Sequence, residues 1–193
     1  FITNTIQMNI SKIINTRRTV YPSQFKHGDI DKEIIKIILE NANTAPTHRM
    51  TQPWFFKVYK SDSKNSLGIK MVEAFELHSN TESPLKKKKI LQKCEQSNCI
   101  IAIFMKRDPK ESVPEWEEIA ATAMAVQNIW LTCVEYEIGC YWSTPKYIDK
   151  MNDFFMLKEN ERCLGFFYMG KYDHSELESK ERESIYVKTE WNF

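Results

Sequence analysis

Apolar residues near the start of the chain fall at helical spacing. Ile10, Ile13 and Ile14 predict a short helix over 10–16 that ends by presenting Arg17-Arg18. A second helix is predicted with Asp29 as N-cap, Asp31 and Glu33 in its first turn, a buried stripe of Ile30, Ile34, Ile37 and Ile38, and an end near Thr44. Trp54 to Tyr59 is aromatic and β-branched and reads as a strand, followed by a helix from Asp62 or Ser63 through Phe75. Another helix covers Leu85 to Gln96, and the nearly continuous apolar run Cys99 to Met105 predicts a strand buried on both faces. After the polar loop Arg107 to Pro114 comes the longest element, a helix from about Glu115 to Ile138. Its repeating positions are Ile119, Ala123, Met124, Gln127, Trp130, Leu131, Val134 and Ile138. Ala120, Ala121, Ala125 and Val126 extend the apolar surface around it, which predicts a helix that is central or packed against a partner subunit. Gly139 is the expected helix stop. Cys140 to Trp142 forms a short strand, Pro145 restarts a helix to about Phe155, and Leu164 to Gly170 is the last strand. This order of helices and few strands predicts an α+β fold rather than a doubly wound sheet.

The 193 residues fit one domain across 1–193, with the seven residues before Met8 set aside as a leader or alternative start. The 27 basic and 26 acidic residues leave a formal net charge of +1, so neither nucleic acid nor an anionic membrane is an expected partner. Lys86-Lys87-Lys88-Lys89 does not change that expectation: without interleaved aromatics it reads as a solvated helix face. No apolar run is long enough to span a bilayer, no signal peptide is visible, and five scattered cysteines lack zinc or dithiol spacing. A cytoplasmic, soluble protein is the expectation.

Candidate chemistry concentrates in a few places. Arg17-Arg18-Thr19 offers a guanidinium fork and a hydroxyl, the donors a phosphate monoester needs. Ala45-Pro46-Thr47-His48-Arg49-Met50-Thr51-Gln52-Pro53-Trp54 is a proline-bracketed loop entering an aromatic strand, rigid enough to hold a ligand. Far downstream, Lys180 and Arg182 stand two apart, so an extended tail returning to the sheet would carry both to one phosphate; the alternative is an exposed charged tail. With only five glycines, the chain has no Rossmann fingerprint or P-loop. No metal site is expected, because His48 has no ligand partner at zinc spacing, and no Gly-x-Ser-x-Gly elbow supports a hydrolytic triad. Glu115, Glu117 and Glu118 read as acids favourable to a helix N-terminus.

With those residues in view, the chain resembles the nitroreductase family of FMN-dependent NAD(P)H oxidoreductases, in its short single-domain branch. The signatures are Arg17-Arg18-Thr19, Ala45-Pro46-Thr47-His48 with Gln52-Pro53-Trp54, Val113-Pro114-Glu115-Trp116-Glu117, Gly139 through Trp142-Ser143-Thr144, and Leu164-Gly165-Phe166 before Gly170. The resemblance implies a mostly antiparallel sheet wrapped by helices, in an intimate homodimer whose long central helix lies at the interface and whose two FMN sites are shared between chains. It also implies that Arg17, Arg18 and Thr19 hold the FMN phosphate and ribityl chain, joined by Lys180 and Arg182. Pro46, Thr47 and His48 would come from the other subunit, and Trp142, Ser143 and Thr144 would lie along the isoalloxazine, with a backbone N–H toward N5. No side chain is then needed as a catalytic group. The implied reaction is ping-pong: hydride passes from NADH or NADPH to the flavin, then to a nitroaromatic, quinone or similar small acceptor. The sequence departs from the family at Tyr21, where many relatives carry a basic residue, and at Met50, where many carry Asn. Alternatives are a flavoprotein of the same fold performing reductive dehalogenation or flavin breakdown, and a cofactor-free dimeric binding domain.

Overall fold

The computed structural model describes residues 9–79, 82–174 and 181–193. Its elements are α1 (Ile10–Thr16), β1 (Phe25–Lys26), α2 (Lys32–Asn43), β2 (Trp54–Tyr59), α3 (Asp62–His78), α4 (Pro84–Gln96), β3 (Cys99–Lys106), α5 (Glu115–Glu135), β4 (Ile138–Ser143), α6 (Asn152–Phe155) and β5 (Glu161–Tyr172). All strand pairs are antiparallel. β5 pairs with β3, β4 and the two-residue β1, and β3 pairs in turn with β2.

The apolar run in β3 is continuous because helices cover both faces of the sheet. Cys99, Ile101 and Ile103 point into a cluster with Ile35 and Ile38 of α2 and Ala125, Val126 and Ile129 of α5. Ile100, Ala102 and Phe104 point the other way, toward Leu67, Met71 and Phe75 of α3 and Ile90 and Cys94 of α4. Phe55 stacks on Phe104 at 4.7 Å between ring centroids, locking β2 to β3 on this second face. The long β5 threads between both clusters and is buried without a break from Gly165 to Gly170.

Several expectations need correction. The cap of α2 is Asp31, whose side chain accepts from the Glu33 N–H, because Asp29 is drawn away to the Lys60 ammonium 2.8 Å off. The stripe of α2 shifts accordingly to Ile35, Ile38 and Ala42, with Ile30 buried before the helix starts. α5 stops at Glu135, and the chain reverses through Glu137 in the left-handed region (φ 54°), so Gly139 is a strand residue. Pro145 opens a turn, its carbonyl accepting from the Ile148 N–H, and only a 3₁₀ turn over Ile148–Met151 and the one-turn α6 follow.

The face of α5 buried within the chain is Ala121, Thr122, Ala125, Val126, Ile129 and Cys133, not the predicted stripe. Ile119, Ala123, Trp130, Leu131 and Val134 are only half-buried, and Met124 is exposed. α1 has no buried residue, with Ile10 and Ile14 more than half exposed.

Candidate functional site

Past α1 the chain becomes extended and runs beside β4, where the Val20 N–H donates to the Cys140 carbonyl at 3.0 Å. Glycine at 139 makes this approach possible, since a Cβ there would stand 2.9 Å from the Val20 side chain and from the Tyr172 ring. Trp130 of α5 completes the fit. Its indole N–H donates to the Arg18 carbonyl at 3.3 Å, while the Arg17 guanidinium lies over its ring, 4.7 Å from the centroid. Tyr21 packs against Tyr141 at 4.9 Å, and Thr19 is exposed.

This arrangement gives the two arginines different tasks. Arg18 turns its fork back, donating to the carbonyls of Asn15 (2.7 Å) and Arg17 (2.9 Å). Arg17 is partly desolvated, which lowers its pKa, and the neighbouring charges of Arg182 and then Arg18 lower it further. Arg182 thus lies within electrostatic range of Arg17, across 165 positions of sequence. It does so without the expected strand: no strand follows Tyr172 among the described residues. Lys180 lies outside the described residues. No carboxylate among the described residues forms an ion pair with Arg17, Arg18 or Arg182. Like charges held together without a counter-ion are a ready anion site.

Trp142 and Ser143 lie further along the same β4 and are half-buried; Thr144 is exposed. The Trp142 indole N–H donates to the Leu164 carbonyl at 3.2 Å, and the ring sits over Gly165, which has φ 134°. Glycine is required there twice, by its backbone angle and because a Cβ would meet the indole nitrogen at 2.5 Å and the Ser143 carbonyl at 2.6 Å.

The proline-bracketed loop is built differently. Thr47 Oγ1 accepts from the Gln52 N–H (3.1 Å) and lies 3.1 Å from Thr51 Oγ1, closing the loop on itself. Arg49, Met50 and Gln52 all have φ between 43° and 54°, a cluster of left-handed non-glycine residues that only such cross-bracing sustains. Pro46 is exposed, and His48 Nδ1 is 2.6 Å from Glu117 Oε2 in the first turn of α5. The three acids at this helix start thus have separate partners. Glu115 pairs with Arg162 at 2.7 Å, Glu117 with His48, and the fully buried Glu118 with Arg107, while also accepting from the Asp108 N–H.

One chain therefore splits the expected residues into two groups. Arg17, Arg18, Thr19, Trp142, Ser143 and Thr144 lie along β4 or against Trp130, with Arg182 in electrostatic range of Arg17, whereas His48 and the loop that carries Pro46 and Thr47 are tethered at Glu117. Glu117 and Trp130 are thirteen residues apart on α5, roughly 20 Å at about 1.5 Å per residue. Sequence reasoning missed the two residues that anchor these groups, Trp130 and Glu117. In the sequence Trp130 is one position of an apolar stripe, and its indole N–H is the signal that marks it out, since a half-buried donor needs an acceptor.

With this geometry in place, the comparisons are clear about kinship. The family model described as "Nitroreductase family" matches residues 14–171, and the chain belongs to that family. The match runs from within α1 to the penultimate residue of β5 and ends before Arg182. Among curated relatives, the Bacillus subtilis protein named "Putative NAD(P)H nitroreductase YfhC" is 28% identical over 180 residues, covering 90% of this chain and 89% of its own. Among solved structures, a nitroreductase-like family protein from Bacillus cereus superposes with a TM-score of 0.80 at 23% identity, covering 96% of each chain. An oxidised iodotyrosine deiodinase bound to FMN and 3-iodo-L-tyrosine has a TM-score of 0.71 at 18% identity, covering 96% of this chain and all of its own. The nitroreductase-like α+β fold is thereby established.

Proposed function

We propose that this chain is an FMN-dependent NAD(P)H oxidoreductase of nitroreductase type, a single FMN-binding domain working as a homodimer. The observation that carries the reading is the Arg17 guanidinium held on Trp130 at the edge of β4, with Arg182 in electrostatic range and neither paired with a carboxylate among the described residues. This donor set fits a phosphate monoester: Arg17 and Arg182 would hold the phosphate, with Lys180 reaching it from the tail and Thr19 supplying a hydroxyl. Arg18 would act through its backbone or the free edge of its guanidinium, because Nη1 is already engaged with two carbonyls. Bound there, FMN would supply the hydride chemistry, accepting from NADH or NADPH and passing the reducing equivalents to a nitroaromatic, quinone or similar small acceptor.

The chain's own part is to bind, orient and exclude water. Trp142, held by the Leu164 carbonyl and seated on Gly165, gives a flat apolar wall, and the backbone of Ser143 and Thr144 leaves the sheet beside it. Pro46, Thr47 and His48 cannot reach this wall from the same chain, so we assign them to the partner's site, where the Glu117-anchored imidazole closes the pocket. The half-open face of α5 and the exposed Ile10 and Ile14 of α1 support a second copy as the covering surface. We place the protein in the cytoplasm. Five cysteines, all free and buried, suit a reducing compartment, and among the described residues no helix is long and apolar enough to cross a membrane.

A second reading keeps FMN and changes the chemistry, because the same fold also serves the iodotyrosine deiodinase. One experiment separates the readings. The purified protein is expected to be yellow and to lose its colour anaerobically with NADH or NADPH, then regain it on adding a quinone or nitroaromatic. A yellow protein that neither nucleotide bleaches favours the second reading, and a colourless one that ignores added FMN defeats both.

A further inference from the structure

Among the described residues His48 is the one histidine whose ring meets a carboxylate at hydrogen-bond distance, its Nδ1 lying 2.6 Å from Glu117 Oε2. His174, by contrast, stands 3.9 Å from Glu137. A carboxylate can only accept, so this bond fixes a proton on Nδ1. A free neutral imidazole side chain favours the other tautomer, with its proton on Nε2. Glu117 therefore imposes on His48 the form that the ring alone populates less. The ring is more than half exposed, and Nε2 makes no hydrogen bond to the described residues.

Glu117 is left for this task because the acids beside it are taken. Glu115 is held by Arg162, and Glu118 by Arg107 and the Asp108 N–H. Arg49, next to His48 in the chain, forms no ion pair among the described residues. The backbone adds a second, independent observation. Arg49, Met50 and Gln52 hold left-handed angles of φ 50°, 54° and 43°, each unfavourable for a residue with a Cβ. Two tethers sustain them: inside the loop Thr47 Oγ1 accepts from the Gln52 N–H, and outside it Glu117 holds His48. A strained loop whose outer tether ends on one imidazole nitrogen presents the other nitrogen in a fixed direction.

We propose that His48, through Nε2, donates the proton that the electron acceptor takes up, and that Glu117 is the residue that positions it. The inference rests on the flavin reading above, which supplies the electron pair and puts His48 at the partner's site. A quinone that has taken up a hydride is left with one anionic oxygen, which must gain a proton. The Nε2–H bond of the imidazolium breaks and an O–H bond forms on that oxygen, giving the hydroquinone. The neutral ring left behind already carries its remaining proton on Nδ1, against Glu117, and water returns a proton to Nε2 for the next turnover. No ring flip or tautomer exchange intervenes, because the Nδ1–H bond to Glu117 is the same before and after the transfer.

Long-range proton–nitrogen NMR spectra of the full chain, with the His48 signals assigned by their loss in His48→Phe, should show the neutral ring as the Nδ1–H tautomer. Glu117→Ala should return it to Nε2–H, and Glu115→Ala, in the same helical turn but with its own partner, should leave it as it is. These spectra need no flavin, so failure here and failure of the flavin reading are told apart. In the yellow protein, rapid mixing separates reduction from oxidation. Glu117→Ala should slow oxidation by a quinone about tenfold more than it slows bleaching by NADH or NADPH, because the proton is needed in the second step. His48→Phe, which keeps a ring without a proton to give, should show the same split. A wild-type ring on Nε2–H, a ring indifferent to Glu117→Ala, or equal slowing of both steps would each overturn the proposal.

Discussion

Arg17 and Arg18 are adjacent in sequence yet face different partners, and the difference is set by what surrounds each guanidinium. Arg18 donates to two carbonyls of its own turn, whereas Arg17 lies on the Trp130 ring with Arg182 near it and keeps its donors for something else. Arg17→Ala should therefore weaken FMN by roughly 10- to 150-fold, corresponding to about 1.5–3 kcal/mol for one hydrogen bond to a charged group. Arg18→Ala should cost far less. Quenching of FMN fluorescence on titration with each variant measures both, and equal losses would mean that the phosphate does not single out Arg17. The doublet was legible in the sequence because it ends an amphipathic helix. Its division of labour was not, because it depends on Trp130, more than a hundred residues away.

At the scale of elements, legibility followed the number of faces an element must satisfy. β3 is legible nearly to the residue, since a strand covered on both sides is apolar throughout, and β2 because its aromatic and β-branched run is bounded by turn residues. α5 was recognised as a helix, but its inward face was misassigned. It carries two apolar faces, and a sequence shows both without saying which one its own chain fills. Its end was misplaced for a related reason: Gly139 resembles a helix stop, yet its glycine serves the approach of Val20, while Glu137 makes the reversal. β1, with two residues, leaves no periodic signal at all. Gly139→Ala tests the reassignment. A new methyl 2.9 Å from Val20 should push the Arg17–Tyr21 segment off β4, costing about 1–3 kcal/mol by overpacking. Thermal melts should show the lower stability together with weakened FMN binding. A helix-stop role would instead leave FMN affinity unchanged in the protein that still folds.

For the molecule as a whole, ionisation of its buried groups and the proposed sharing of its site between chains both turn on where the core closes. Burial pushes the thiols of Cys94, Cys99 and Cys163 from 9.0 up to about 12, and the phenols of Tyr59 and Tyr172 from 10.0 to about 12. Each raised pKa makes the folded chain hold its proton longer than the unfolded chain. Stability from this source is therefore complete below about pH 9 and declines as pH climbs toward 12. Denaturant midpoints measured from neutral to alkaline pH should stay level from this source and then fall; a constant midpoint through pH 11 would contradict the burial of these groups. The division of the site along α5 leads to a sharper test. Arg17 and His48 are held at places about 20 Å apart on one helix, so a ligand that touches both must take them from different chains. Homodimers of Arg17→Ala and of Thr47→Ala with His48→Ala should each lose tight FMN. Co-assembled as a mixed dimer, they place both lesions in one site and leave the other intact, so about one tightly held FMN per dimer should return. If each site were built from a single chain, both sites of the mixed dimer would carry a lesion, and flavin content would stay at the level of the impaired homodimers.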